Sequence, residues 1–187
     1  MSKLSKGDTF PDFPFHTAGG EDLRTREVIA RAKKTVFWVL RYVGCTSCRY
    51  DIHVIKERYG EFTALGVQIL VVLQSPPETI EADLKGDEVP YKIIADPEQR
   101  FYKRFSIEAA DSKEDLRPKD PILALKFQTK VDQIKASGFT HGKYEGDELQ
   151  LPALFIVEAD NSVSYAHYAA NVADLPTVDE LLDIVKS

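Results

Sequence analysis

The chain has 187 residues, 43% hydrophobic and 29% charged, which is ordinary for a globular protein and long enough for one domain to bury a substantial core. Its 24 basic and 30 acidic residues leave a net charge of -6, so neither nucleic acid nor an anionic membrane surface is indicated as a partner. The N-terminal Met1-Ser2-Lys3-Leu4-Ser5-Lys6-Gly7-Asp8 has no apolar signal core and no run approaches a membrane span, so a cytoplasmic protein is expected.

In chain order, residues 35–40 (Thr-Val-Phe-Trp-Val-Leu) form a continuous β-prone apolar run, as in a strand buried on both faces. Cys48, Ile52, Ile55, Tyr59 and Phe62 then recur at steps of four and three, the stripe of an amphipathic helix. Gly66 opens a second buried run over 67–73, and strand, helix, strand within this span predicts a parallel βαβ unit. Ser75-Pro76-Pro77-Glu78 predicts a helix start with Ser75 as N-cap; residues 91–95 read as a strand, and Asp96-Pro97-Glu98-Gln99 as another helix start. The stretch 106–151 is too long for a plain connection and reads as an insertion within a single domain. It holds a helix capped by Asp120-Pro121, striped by Leu123, Phe127, Val131 and Ile134, and closed by Gly138. Residues 154–157 and 163–167, joined through Asp160-Asn161-Ser162, predict a β-hairpin. Thr177-Val178-Asp179-Glu180 caps a last helix with Leu181, Leu182 and Val185 on its apolar face.

Cys45 and Cys48 are the only two cysteines, spaced C-x-x-C where the first strand runs into its helix. That spacing suits a reversible disulfide across one helical turn. A helix N-terminus favours the thiolate, and Arg41 and Arg49 flank the motif, so one thiol is expected to have a lowered pKa. Cys45 is expected at or just before the first turn and more exposed; Cys48 lies on the apolar stripe and is expected to be more buried. A redox dithiol is the favoured reading. A structural zinc site would want four N or S ligands, with His53 near in sequence and His16, His141 and His167 having to converge from elsewhere. Two inert packed cysteines are the third possibility.

This order of elements, the C-x-x-C and Leu151-Pro152 before the hairpin resemble the thioredoxin fold, an α/β architecture with a central mixed sheet flanked by helices. Gly7-Asp8-Thr9-Phe10-Pro11-Asp12-Phe13 is similar to the entry of its AhpC/TSA (redoxin, peroxiredoxin) branch. Arg41-Tyr42-Val43-Gly44-Cys45-Thr46-Ser47-Cys48-Arg49 resembles the peroxiredoxin-like members of that branch. The resemblance implies Cys45 and Cys48 as catalytic residues, supported by Arg41, Thr46, Ser47, Arg49, Leu151 and a cis Pro152. It also implies a thioredoxin or glutathione system as electron donor, a protein disulfide or hydroperoxide as substrate and no cofactor, and it allows a homodimer. With its final cysteine aligned on Cys48, the family's peroxide-binding pattern, P-x-x-x-T-x-x-C with a distant arginine, is broken: Arg41 stands at the proline position, Cys45 at the threonine and Pro152 at the arginine. The expectation therefore moves from thiol peroxidase toward thiol–disulfide exchange, with Cys45 attacking, a peroxidase as alternative, and a redox-sensing or binding module as the reading from another class. The strand 35–40 offers no buried acid, which leaves His141, Asp147 or Glu148 as proton acceptor. His53 is expected on the helix surface, and the basic inserted helix (Arg117, Lys119, Lys126, Lys130, Lys135) either covers the sheet or docks a partner.

Overall fold

The apolar run at 35–40 forms the middle strand of a five-stranded sheet in the computed structural model, which describes residues 3–187. Met1 and Ser2, where the segment without a signal core begins, lie outside the described residues. A short hairpin, β1 (Pro14–His16) and β2 (Asp22–Arg24), and the helical turn α1 (Thr25–Ile29) precede the sheet. These three were not foreseen, because three-residue strands are too short to show an alternation. The central strand β3 (Lys34–Val39) pairs in parallel with β4 (Val67–Leu73), which pairs in parallel with β5 (Lys92–Ala95). On its other side β3 pairs antiparallel with β6 (Ala153–Glu158), and β6 with β7 (Val163–Tyr168), the predicted hairpin. Asn161 takes a left-handed φ of 69° in its turn, a conformation asparagine tolerates well.

Alternation along β3 divides the core. Phe37 and Val39 face a layer built with Phe10, Phe13, Phe101, Tyr102, Phe105 and Phe155. Phe10 stacks on Phe37 at 4.6 Å between centroids, a contact worth about 0.5–1.5 kcal/mol beyond the area it buries. Val36, Trp38 and Leu40 face α2 (Thr46–Ala64) and α6 (Val178–Lys186). Cys48, Ile52, Ile55 and Phe62 of the predicted α2 stripe are buried, with Tyr59 half-buried at its margin. Thr177 and Glu180 close the capping box of α6, and Leu181, Leu182 and Val185 are buried as expected.

Two helix starts differ from the sequence reading. In α3 (Pro77–Leu84) the N-cap is Pro76, and Ser75 makes no cap; its Oγ accepts instead from the Val43 N–H at 2.9 Å. A loop N–H left without a strand partner competes for the same hydroxyl and wins, because both groups are buried. The helix after Asp96, α4 (Arg100–Arg104), starts later than expected. The carboxylate nevertheless caps it, accepting from the N–H groups of Arg100 and Phe101 at 2.9 and 2.7 Å.

Helix α5 (Pro121–Ser137) has the predicted cap, with Asp120 accepting from Ile122 and Leu123, and it ends on Gly138 at a φ of 74°. It packs on α2 rather than covering the sheet, and its stripe is only half-buried. Lys126 donates to the Leu175 carbonyl and pairs with Glu180, and Lys130 pairs with Asp51 of α2. Ile122 and Leu125 remain 78% and 69% exposed. Among the described residues no helix is long and apolar enough to cross a membrane.

Candidate active site

The chain leaves β3 through a loop whose backbone is fixed at almost every step. Tyr102 donates its hydroxyl to the Leu40 carbonyl at 2.7 Å, Gln74 N–H donates to Arg41 O, and Val43 N–H is held by Ser75. Cys45 N–H donates to Tyr42 O at 3.2 Å, which turns the chain into α2 with Cys45 as its N-cap residue. One turn on, Cys48 points into the core. The motif therefore stands where its spacing placed it, with both sulfurs present as free thiols.

The expected difference in exposure is absent: Cys45 is 4% and Cys48 3% exposed. The reason lies about a hundred residues away, in the return from α5. Residues 139–148 fold over the motif, and Gly142 N–H donates to Gly44 O at 2.7 Å. A Cβ on Gly44 would stand 2.2 Å from the Lys143 carbonyl oxygen, so only glycine lets the two backbones meet. Tyr42 Oη hydrogen-bonds His141 Nε2 at 3.1 Å, and His141 stacks on Tyr144 with centroids 4.1 Å apart.

Although equally covered, the two thiols are electrostatically unlike. The hydrogen bond from Cys48 to Cys45, the Arg41 charge and the backbone N–H groups of Cys48 and Ser47 outweigh burial and bring the Cys45 pKa down to about 6. Burial first, then the hydrogen bond it gives to Cys45 and the negative charge there, push the Cys48 thiol well up. At neutral pH the pair is a thiolate at the helix end and a protonated thiol behind it.

The supporting residues divide between these roles. Arg41 Nη1 lies 3.7 Å from Cys45 Sγ, and its Nη2 donates to the Glu148 carbonyl, so one guanidinium joins thiolate and cover. Arg49 does not serve the thiolate: it pairs with Asp83 at 3.3 Å and lies over the Phe139 ring. Thr46 and Ser47 are half-buried in the first turn, Ser47 contributing its N–H. Leu151 N–H donates to Glu108 O, and Pro152 is buried, accepts from Ala169 N–H and shares a small cavity with Cys48. Pro152 thus lies beside the dithiol as expected, but its peptide bond is trans, no cis bond being found among the described residues. The chain enters extended, bridged antiparallel at Ala109 and Gln150, and the trans form is the intrinsic preference even before proline.

The three expected proton acceptors are each held by other groups. His141 is engaged with Tyr42 and Tyr144, the Asp147 carboxylate caps Leu149 N–H, and Glu148 pairs with Lys113. His53 is not a surface residue: it is half-buried, packed edge-on against Phe139, and its Nδ1 is buried with no hydrogen-bond partner. No three metal-ligating side chains converge among the described residues. Two features escaped the sequence reading. Gln74, 1% exposed, accepts from Asp147 N–H and donates to Asp147 O, pinning the cover to the end of β4. Asp51, one turn beyond Cys48 on α2, is an acid close to the pair after all; the i+3 spacing was visible, but a charged residue there reads as solvent-facing until α5 is known to cover it.

The profile of the AhpC/TSA family matches residues 6–166. No curated protein matches the chain. Among solved structures it is similar to a mutant of peroxiredoxin 6 of Arenicola marina (TM-score 0.70, 15% identity, 98% of this chain and 73% of that one). It is also similar to peroxidoxin BcpB from Mycobacterium tuberculosis (0.67, 12%, 98% and 97%). A third similar structure is a yeast mitochondrial 1-Cys peroxiredoxin, whose thiol is resolved via glutathione/thioredoxin systems (0.66, 11%, 98% and 75%).

Proposed function

The chain belongs to the AhpC/TSA family, and on that footing we propose that it is a thiol–disulfide oxidoreductase cycling a Cys45–Cys48 disulfide. The observation that carries this reading is the split between the thiols, a thiolate at Cys45 hydrogen-bonded by a protonated Cys48. The Cys45 thiolate attacks one sulfur of a substrate disulfide and expels a thiolate. Cys48 then loses its proton and attacks Cys45, closing the internal disulfide and releasing the second half of the substrate. A reduced thiol of the thioredoxin or glutathione class restores the dithiol, by analogy with the yeast relative.

Thiol peroxidase chemistry is the second reading, favoured by family membership, since the family consists mostly of thiol peroxidases. Against it stands the broken peroxide pattern: with the family's cysteine aligned on Cys48, Arg41, Cys45 and Pro152 fall at the positions of its proline, threonine and arginine. Of these three, Arg41 is the one that brings a positive charge to a thiolate, that of Cys45.

Stopped-flow reaction of the fully reduced protein with hydrogen peroxide and, separately, with a protein disulfide distinguishes the two. Disulfide reduction with a mixed disulfide trapped in Cys48→Ser is the expected result. Fast peroxide consumption that survives in Cys45→Ser and is lost in Cys48→Ser gives the peroxidase instead. Rates no higher than those of a free thiol in both runs overturn both enzyme readings.

A further inference from the structure

Closing the internal disulfide requires Cys48 to lose a proton, and Cys48 is buried with its thiol pKa raised. The group that takes this proton must lie close to Cys48, must be able to hold it, and must be able to return it to solvent. A cavity of about 20 Å³ lies against Cys48, walled by Leu40, Arg41, Ser47, Asp51, Pro152 and Leu175 among others. A buried water needs roughly 10–15 Å³ and two to four polar partners. Among the residues of the wall, Cys48, Ser47, Asp51 and Arg41 carry polar side chains, and the Arg41 Nε is buried with no hydrogen-bond partner.

Asp51 is the only acid in that wall. Its side chain is 15% exposed and pairs with Lys130 at 2.7 Å, a pairing that keeps an ionised carboxylate tolerable in a half-dry site. The same residue also lines a larger cleft of about 500 Å³ between α2, α5 and residues 172–179. Asp51 therefore lines both the small space that touches Cys48 and the larger cleft.

We propose that Asp51 is the general base of the resolving step, taking the Cys48 proton through one water in the small cavity and passing it to solvent through the cleft. This rests on the dithiol cycle proposed above. In the mixed disulfide, Cys48 S–H gives its proton to the water, which gives one of its own to the Asp51 carboxylate. The Cys48 sulfur attacks Cys45, the Cys45–substrate S–S bond breaks, the Cys45–Cys48 bond forms, and the substrate leaves as thiolate. The protein dithiol is oxidised and the substrate disulfide reduced; on reduction of the enzyme the proton returns by the same route. Burial raises the Asp51 pKa, which brings its basicity nearer to that of the thiol it serves.

Groups facing the two ends fix the pH behaviour. Asp51 is faced by Lys130 and Lys126 of α5, by Tyr50 of its own helix and by Tyr91. Cys48 is faced by Cys45, Arg41, Tyr42 and Tyr102. The tyrosines, all with raised pKa values, stay neutral through the neutral range, so Asp51 rather than a tyrosine is the group expected to titrate in the resolving step.

The test uses dithiodipyridine, a small disulfide whose leaving group absorbs light, in single-turnover stopped flow on the reduced protein. The first equivalent released reports attack by Cys45 and the second reports closure by Cys48. Asp51→Asn is expected to leave the first phase unchanged, slow the second by about 10²-fold and flatten its pH dependence. The double variant Asp51→Asn/Lys130→Met removes the lysine left without its partner; its second phase is expected to stay slow while thermal stability recovers, which separates lost base from lost packing. A second phase in Asp51→Asn as fast as in wild type, or one restored in the double variant, overturns the role of Asp51 and leaves the dithiol cycle standing. A wild type that never releases the second equivalent overturns the cycle itself, and this proposal with it.

Discussion

The N–H of Gly142 donates to the carbonyl of Gly44 at 2.7 Å, so the peptide just before the first cysteine is hydrogen-bonded to a segment nearly a hundred residues downstream. This contact, with the Tyr42–His141 hydrogen bond beside it, explains why a thiol at a helix end is only 4% exposed. It also makes access to Cys45 a property of the cover. Gly44→Ala forces a Cβ against the Lys143 backbone, where neither partner can yield without moving. The expected outcome is a displaced cover, Cys45 alkylated by iodoacetamide at least several-fold faster, and a stability loss of about 1–3 kcal/mol. Urea unfolding and alkylation rates on the same preparation check both.

The Cys45 thiolate should show itself in the pH dependence of alkylation. Its rate in wild type is expected to rise through a midpoint near pH 6. Cys48→Ala removes the largest cause of the lowering and Arg41→Met the charge beside it, so each should move the midpoint upward, by about one pH unit or more. A midpoint at the free-thiol value in wild type contradicts the assignment.

The same shift ties stability to pH. In the unfolded chain the thiol ionises near pH 8.5, about two and a half pH units above its folded value. The fold binds fewer protons between those values, so the stabilisation is complete above roughly pH 8.5 and is lost as pH falls through about 6. Cys45→Ser should abolish that component, so the difference in unfolding free energy between wild type and variant is expected to shrink as pH falls across this window.

Gln74 holds both polar backbone groups of Asp147 from a fully buried position. Gln74→Leu preserves approximate volume but strands the Asp147 N–H and the Gln99 side-chain amide that also donates to Gln74. A loss of about 1–3 kcal/mol is expected, together with faster amide exchange confined to residues 139–148. Exchange rising equally over the whole sheet would show that Gln74 is not a local pin.

Away from the site, Thr177 accepts from Glu180 N–H while Glu180 accepts from Thr177 N–H. Thr177→Ala is expected to cost about 1 kcal/mol by thermal or urea unfolding, with no effect on alkylation of Cys45.

What the sequence by itself determined was carried by short windows. The runs at 35–40 and 67–73, the α2 stripe and the turn at Asn161 each declare themselves within about ten residues, and their order implied a thioredoxin-like sheet. The C-x-x-C at the strand–helix junction was legible for the same reason, as was the presence of one acidic thiol, since a helix end and a nearby arginine act locally. Tertiary structure alone decided how far each sulfur is hidden and which distant groups surround the pair. Those depend on Gly142 against Gly44, on Arg41 bridging Cys45 to Glu148, and on Lys130 of α5 reaching Asp51. Such contacts join residues separated by about eighty to a hundred positions, where no periodicity connects them. Burial then reverses the meaning of a residue: His53 and Ser75 read locally as surface and capping groups, yet His53 is half-buried with a ring nitrogen lacking a partner and Ser75 is buried and holds the Val43 N–H.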